Sequence, residues 1–212
     1  MLKLKLACSV IAGLTLLAGA EFAVASEKPS QEQIIKALTP VKKPLTRGLS
    51  ASSADAAPTA SPEDRQFINS LRNRTTRSLS FDEREKIITV AKDQPSIDLE
   101  ITFKFNSATV TPAAMADVDK LGKALSDPAL KGSTFVLSGH TDAVGGESTN
   151  LDLSNRRADA VKRLLVEKYG VSAQNLVTAG YGKSKLKNTS DPFAAENRRV
   201  QIINMADKVA EK

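Results

Sequence analysis

Every second residue of the stretch Ile97 to Phe105 (IDLEITFKF) is apolar: Ile97, Leu99, Ile101, Phe103 and Phe105. A repeat of two puts all five on one face of a strand, whereas a helix would scatter them around its axis. A strand with one apolar face needs a sheet to pair with and a layer to cover it, and the residues that follow supply both. Thr111 and Pro112 open a helix, the hydroxyl as cap and the proline in the first turn, with Met115, Val118, Leu121 and Leu125 facing inward until Asp127-Pro128 stops it. Thr134 to Gly139 (TFVLSG) reads as a second strand, followed by a polar turn from His140 to Gly146 and a long helix from about Thr149 to Tyr169 that Gly170 closes. A short strand from Asn175 to Ala179, a Gly- and Lys-rich loop from Gly180 to Asp191, and a last strand from Asn197 to Met205 complete the set. The order gives one α+β domain over residues 96–206, a mixed sheet of about four strands with helices packed on one face, and a C-terminal tail over 207–212.

The preceding residues are of another kind. Lys3 and Lys5 stand before an uncharged run from Leu6 to Ala20, Glu21 ends the run, and Ala23-Val24-Ala25 offers a small-x-small cleavage pattern. Residues 1–25 therefore read as a signal peptide cut after Ala25, with an uncleaved membrane anchor as the alternative. Cys8, the single cysteine, would leave with it, so the mature chain could form neither a disulfide nor a thiolate metal site. Residues 26–95 read as a flexible tail or linker with short helices. The stretch Leu49 to Pro62 (LSASSADAAPTASP) is small, polar and proline-marked, while Gln31 to Leu38, Glu63 to Arg72 and Asp82 to Asp93 carry helical patterns. Thr46-Arg47-Gly48-Leu49-Ser50 is echoed by Thr76-Arg77-Ser78-Leu79-Ser80, which is either a partner-binding motif or part of a plain tether.

Charge narrows the function classes. Without Lys3, Lys5 and Glu21 the chain keeps 28 Lys and Arg against 23 Asp and Glu. This excess is mild and interspersed, only 4% of residues are aromatic, and there is no tryptophan, so a basic stripe with stacking rings for nucleic acid is missing. His140 is the only histidine, and one imidazole without cysteines is a poor start for a metal site. No cofactor is expected.

The chemistry gathers at Gly139-His140-Thr141-Asp142-Ala143-Val144-Gly145-Gly146 and Asn150-Leu151-Asp152-Leu153-Ser154-Asn155-Arg156-Arg157-Ala158. Asp142 lies on a tight turn after a strand and faces Arg157 on the next helix. Arg157 is two helical turns, roughly 10 Å, beyond Asn150, so both project from one stripe. An anion, a fixed cation and an amide suit a zwitterionic amino-acid head: Asp142 for its ammonium, Arg157 for its carboxylate, Asn150 to donate and accept. A structural ion pair between Asp142 and Arg157 is the plainer alternative.

With Phe105-Asn106-Ser107-Ala108, Gly180-x-Gly182 and Asn197-Arg198-Arg199-Val200 added in the same order, residues from about Ile97 to Met205 resemble the OmpA-like peptidoglycan-binding domain family. The resemblance implies peptidoglycan as the partner, held through diaminopimelate of the stem peptide at Asp142 and Arg157, with Asn106, Ser107, Thr141, Val144 and Asn150 lining the pocket. Arg198 and Arg199 point to opposite faces of the last strand, so at most one can serve a given site. Arg199 is the one assigned, chiefly as an anchor for the chain. Lys183 and Leu186 depart from the family's usual Glu and Pro, and Val144 replaces a frequently polar residue. No series of amphipathic strands precedes the domain, so the family form without a membrane barrel is expected. The resemblance implies a non-catalytic module in the periplasm of a Gram-negative envelope, associated with peptidoglycan and anchoring the protein or its partner to the wall, with outer-membrane association left open. Two alternatives stay open: a tail that docks another envelope protein, and a wall hydrolase, for which no carboxylate pair or metal set is legible.

Overall fold

The computed structural model describes residues 28–40, 61–72, 79–92, 94–104 and 106–205. The expected signal peptide, residues 41–60 and 73–78 of the expected tail with the first Thr-Arg-x-Leu-Ser segment, Phe105 and the C-terminal tail lie outside the described residues.

Four strands, β1 (Ser96–Leu99), β2 (Phe135–His140), β3 (Leu176–Gly182) and β4 (Val200–Asn204), form one mixed sheet in the order β1-β4-β2-β3. β4 runs antiparallel to both β1 and β2, and β2 runs parallel to β3. β1 is shorter than the alternation from Ile97 to Phe105 suggests, because Leu99 pairs with Val200, the first residue of β4, and beyond it no partner strand remains. The alternation survives without the ladder. Leu99 and Ile101 are buried, Ile97 and Phe103 pack against the same core, and Phe103 makes an isolated bridge to Val110.

Two helices of the domain, α4 (Pro112–Leu125) and α5 (Glu147–Tyr169), cover one face, as expected. Val118, Leu121 and Leu125 from α4 and Val161 and Leu165 from α5 meet Phe135, Leu137, Leu176, Val200 and Ile202 of the sheet. Gly170 ends α5 at φ 66°, a left-handed cap that favours glycine. Thr111 does precede α4, yet its side chain makes no capping bond and instead pairs with the Thr102 hydroxyl at 2.7 Å.

The short helices of the N-terminal stretch pack onto this sheet. α1 (Gln31–Leu38), opened by a Ser30 capping box, buries Ile34 and Leu38 in the core of the first face. The Asn204 side-chain amide donates to the Leu38 carbonyl at 2.8 Å in a buried contact. α2 (Pro62–Leu71) and α3 (Phe81–Ala91) cover the opposite face, where Ile68, Leu71, Leu79 and Ile87 meet Val136, Val177, Ala179, Tyr181, Ile203 and Met205. Ser80, the last residue of the second Thr-Arg-x-Leu-Ser segment, caps α3, and Leu79 before it is buried. Helices from residues 96–206 thus lie on one face, and the second face is filled from the stretch that the sequence assigns to a tail.

Candidate ligand-binding site

The site stands at the end of β2, where the turn after His140 leads into α5. Two glycines set how closely α5 approaches. A Cβ at Gly180 would sit 2.3 Å from the Asn155 side-chain oxygen and 2.6 Å from the Asn155 backbone nitrogen, so only glycine lets the helix lie this low on the strand. Gly182, at φ 52°, turns the chain so that its N–H donates to the Ser154 hydroxyl at 2.9 Å. With its first turns fixed against β3, α5 carries Arg157 at a defined height.

Arg157 is 9% exposed. Its Nε donates to the Ser107 carbonyl at 3.1 Å, and its guanidinium lies 4.8 Å above the centre of the Phe103 ring. Burial draws the group below its ordinary pKa, Asp142 opposes that shift, and the nearby charges of Arg198 and Arg156 add to it. An arginine stays protonated throughout the physiological range, so the site holds a fixed cation. Among the described residues Arg157 forms no salt bridge, and it contributes to the wall of an open cleft.

Asp142 is held from two sides. Its Oδ1 accepts the Val144 N–H at 3.2 Å, and its Oδ2 accepts from Arg198 Nη1 at 2.8 Å. The Asp142 side chain is 15% exposed and that of Arg198 is 46% exposed, so the arginine is the partner with room to move. Arg157 and Arg198 both line a cleft of about 110 Å³, with Glu100, Thr102, Phe103 and Ala195 on its other walls.

The remaining expected residues separate. Thr141 is buried: its N–H donates to the Gly182 carbonyl at 2.9 Å and its hydroxyl to the Asp142 carbonyl at 3.0 Å, so it shapes the turn. Asn150 is buried too, its side-chain nitrogen donating to the Val144 carbonyl at 2.8 Å, which ties the turn to α5. Ser107 contributes its carbonyl to Arg157 while its hydroxyl donates to Thr109. Asn106 is exposed at φ 46° on the neighbouring turn, and Val144 is exposed on the rim.

Arg199 is not with Asp142. It is buried on the opposite side of the sheet, where its Nε meets Asp98 at 3.3 Å and its Nη2 the Lys185 carbonyl at 3.4 Å. This corrects its place in the ligand-binding set: one step along an extended chain reverses the side chain, and Arg198 takes the position beside Asp142. Phe103, the ring beneath Arg157, carries no sequence signal beyond its place in the apolar alternation. Among the described residues no group of His, Cys, Asp and Glu is placed to hold a metal ion, and no helix is long and apolar enough to cross a membrane.

Residues 102–199 match the model of the OmpA family. Over 108 residues the chain is 36% identical to outer membrane porin F of Pseudomonas fluorescens, a match covering 50% of this chain and 32% of that protein. It is 36% identical over 114 residues to outer membrane protein A of Escherichia fergusonii, covering 49% of this chain and 46% of the relative. The matches thus span less than half the length of these relatives. Among solved structures, the peptidoglycan-associated lipoprotein from Burkholderia pseudomallei shares 26% identity over 49% of this chain and 87% of that chain, with a TM-score of 0.42.

Proposed function

We propose, from the premise that residues 102–199 are an OmpA family domain, that this part of the chain holds peptidoglycan non-covalently through the diaminopimelate of the stem peptide. The observation that carries the reading is a buried, immobilised Arg157 whose charge is opposed across a short gap by Asp142 on the turn before its helix. The side-chain end of diaminopimelate bears an ammonium and a carboxylate on one carbon. Asp142 takes the ammonium, and the terminal nitrogens of Arg157, whose Nε is occupied by Ser107, take the carboxylate as a fork. Arg198 keeps Asp142 compensated before the ligand arrives and, being half-exposed, can give way to the incoming ammonium. No bond is made or broken in this scheme. The names of the matched relatives, both outer membrane proteins, support a place in the Gram-negative envelope, with the domain in the periplasm where the wall lies.

Co-sedimentation with purified walls tests this. Asp142→Ala should release the chain from diaminopimelate-type walls, because removing one partner of a desolvated charged contact costs about 2 to 5 kcal/mol. Arg157→Lys should weaken retention about tenfold or more, since a point charge cannot replace the fork. Lysine-type walls lack the second carboxylate and should retain the wild type poorly. Wild-type retention of both folded variants would remove the site from consideration.

A further inference from the structure

Two cations and one carboxylate meet at the site, and the carboxylate answers only one of them. Asp142 Oδ2 accepts from Arg198 Nη1 at 2.8 Å, and its Oδ1 is held by the Val144 N–H. Arg157 has the Ser107 carbonyl and the Phe103 ring as neighbours and, among the described residues, no carboxylate within ion-pair distance. Its guanidinium nevertheless feels both members of the other pair, since Asp142 draws its pKa up and Arg198 draws it down. Both arginines line the same cleft. The remaining charges nearby do not restore the balance. Arg156 is paired with Asp152 at 2.8 Å, and Glu100, the carboxylate on the cleft wall, is exposed to water and salt that screen it.

The two ends of a zwitterion therefore meet different opposition. A carboxylate reaching Arg157 finds an unanswered cation and a second one close by. An ammonium reaching Asp142 finds its place taken, and it gains only the difference between itself and Arg198 while two like charges repel it. Resting on the peptidoglycan reading above, we infer that Arg198 is a specificity-determining residue: an internal cation that an incoming ammonium has to displace, so that the site requires the carboxylate of its ligand and rejects a bare amine. Once a ligand carboxylate neutralises Arg157, the ammonium exchanges with Arg198, and the freed guanidinium keeps water and the Phe193 carbonyl, which it already approaches at 3.5 Å. A diaminopimelate end whose carboxylate is amidated then ranks with lysine, below an end that keeps the carboxylate and lacks the amine.

Titration calorimetry of the full chain with three probes tests this, each blocked at the α-amino and α-carboxyl groups so that only the far end of the side chain differs: diaminopimelate with both charges, aminopimelate with the carboxylate alone, and lysine with the ammonium alone. Wild type should bind diaminopimelate most tightly and aminopimelate ahead of lysine by about fivefold, the worth of one half-exposed ion pair. Arg198→Gln should move the two singly charged probes in opposite directions, lysine tighter because Asp142 stands open, aminopimelate weaker because a neighbouring cation is gone. A turn merely loosened by the substitution would weaken both. Arg198→Lys, which keeps the charge, should keep the wild-type order. Lysine bound by the wild type as tightly as aminopimelate, or shifts of one sign in Arg198→Gln, would overturn the role of Arg198 while diaminopimelate binding left the Asp142 and Arg157 grip standing. If diaminopimelate itself does not bind the wild type, the grip fails and the role of Arg198 with it.

Discussion

On the face under α1, α4 and α5, the sheet presents Leu99, Phe135, Leu137, Leu176, Val200 and Ile202, and the helices answer with aliphatic side chains. On the face under α2 and α3, Val136, Val177, Ala179 and Ile203 share the space with Ser138, His140, Tyr181 and Arg199. Ser138 Oγ, both ring nitrogens of His140 and Arg199 Nη1 are buried there without a well-aligned hydrogen-bond partner among the described residues. Burying polar groups returns less than burying apolar ones, so the second face gains less from burial than an all-apolar layer of the same area would. The difference teaches that the two layers of helices have different work. The first makes the domain, and the second is the layer that local opening should release first.

The largest expected effect is on the first face. Phe135→Ala should cost about 3 to 5 kcal/mol in urea unfolding, because the ring is almost fully buried and its neighbours are held from several elements. An equal or larger loss from Ile87→Ala, on the second face, would reverse the ranking. Next comes pH. Burial, aided by the charge of Arg199, lowers the His140 pKa from 6.5 to about 3. Since the unfolded chain then takes up the proton more readily than the folded one, this contribution is whole above pH 6.5 and is lost as pH falls towards 3, by about 1.4 kcal/mol per unit. His140→Phe should flatten the fall in stability over that window while keeping the stack on Tyr181, whose ring lies 5.4 Å away. A slope unchanged in the variant would assign the effect to other groups. The smallest effect concerns the attachment of α3: Tyr181→Phe removes the bond to the Arg84 carbonyl at 3.1 Å and should cost about 1 kcal/mol. Faster amide exchange confined to residues 79–92 would mark local release, whereas exchange rising across the whole sheet would mean that the two layers unfold as one.

The contrast between the faces also explains what could be read in advance. The one-sided alternation at Ile97 to Phe103, the long α5 with its Gly170 cap, and the turn carrying Asp142 were legible because each is written in local pattern. The choice between Arg198 and Arg199 was not. It depends on which side of β4 faces α5, and Ile202 and Ile203 are both apolar because both sides are covered, so the alternation that would fix the parity is erased. β2 is buried along its whole length for the same reason. The unbroken apolar run Phe135-Val136-Leu137 was the available signal that the sheet has two covered faces, and with it the helical patterns near Phe67 and Ile87 could have been assigned as the second cover.

β4, last of the strands along the chain, lies between β1 and β2, and Asn204 near its end reaches back to α1. Until the final strand has been made, then, β1 has no neighbour in the sheet and α1, although α4 can already receive it, lacks the bond that Asn204 supplies. The fold can only close as a late, all-at-once event, and a chain cut before Val200 would lose the member that joins its two halves rather than fray at a border.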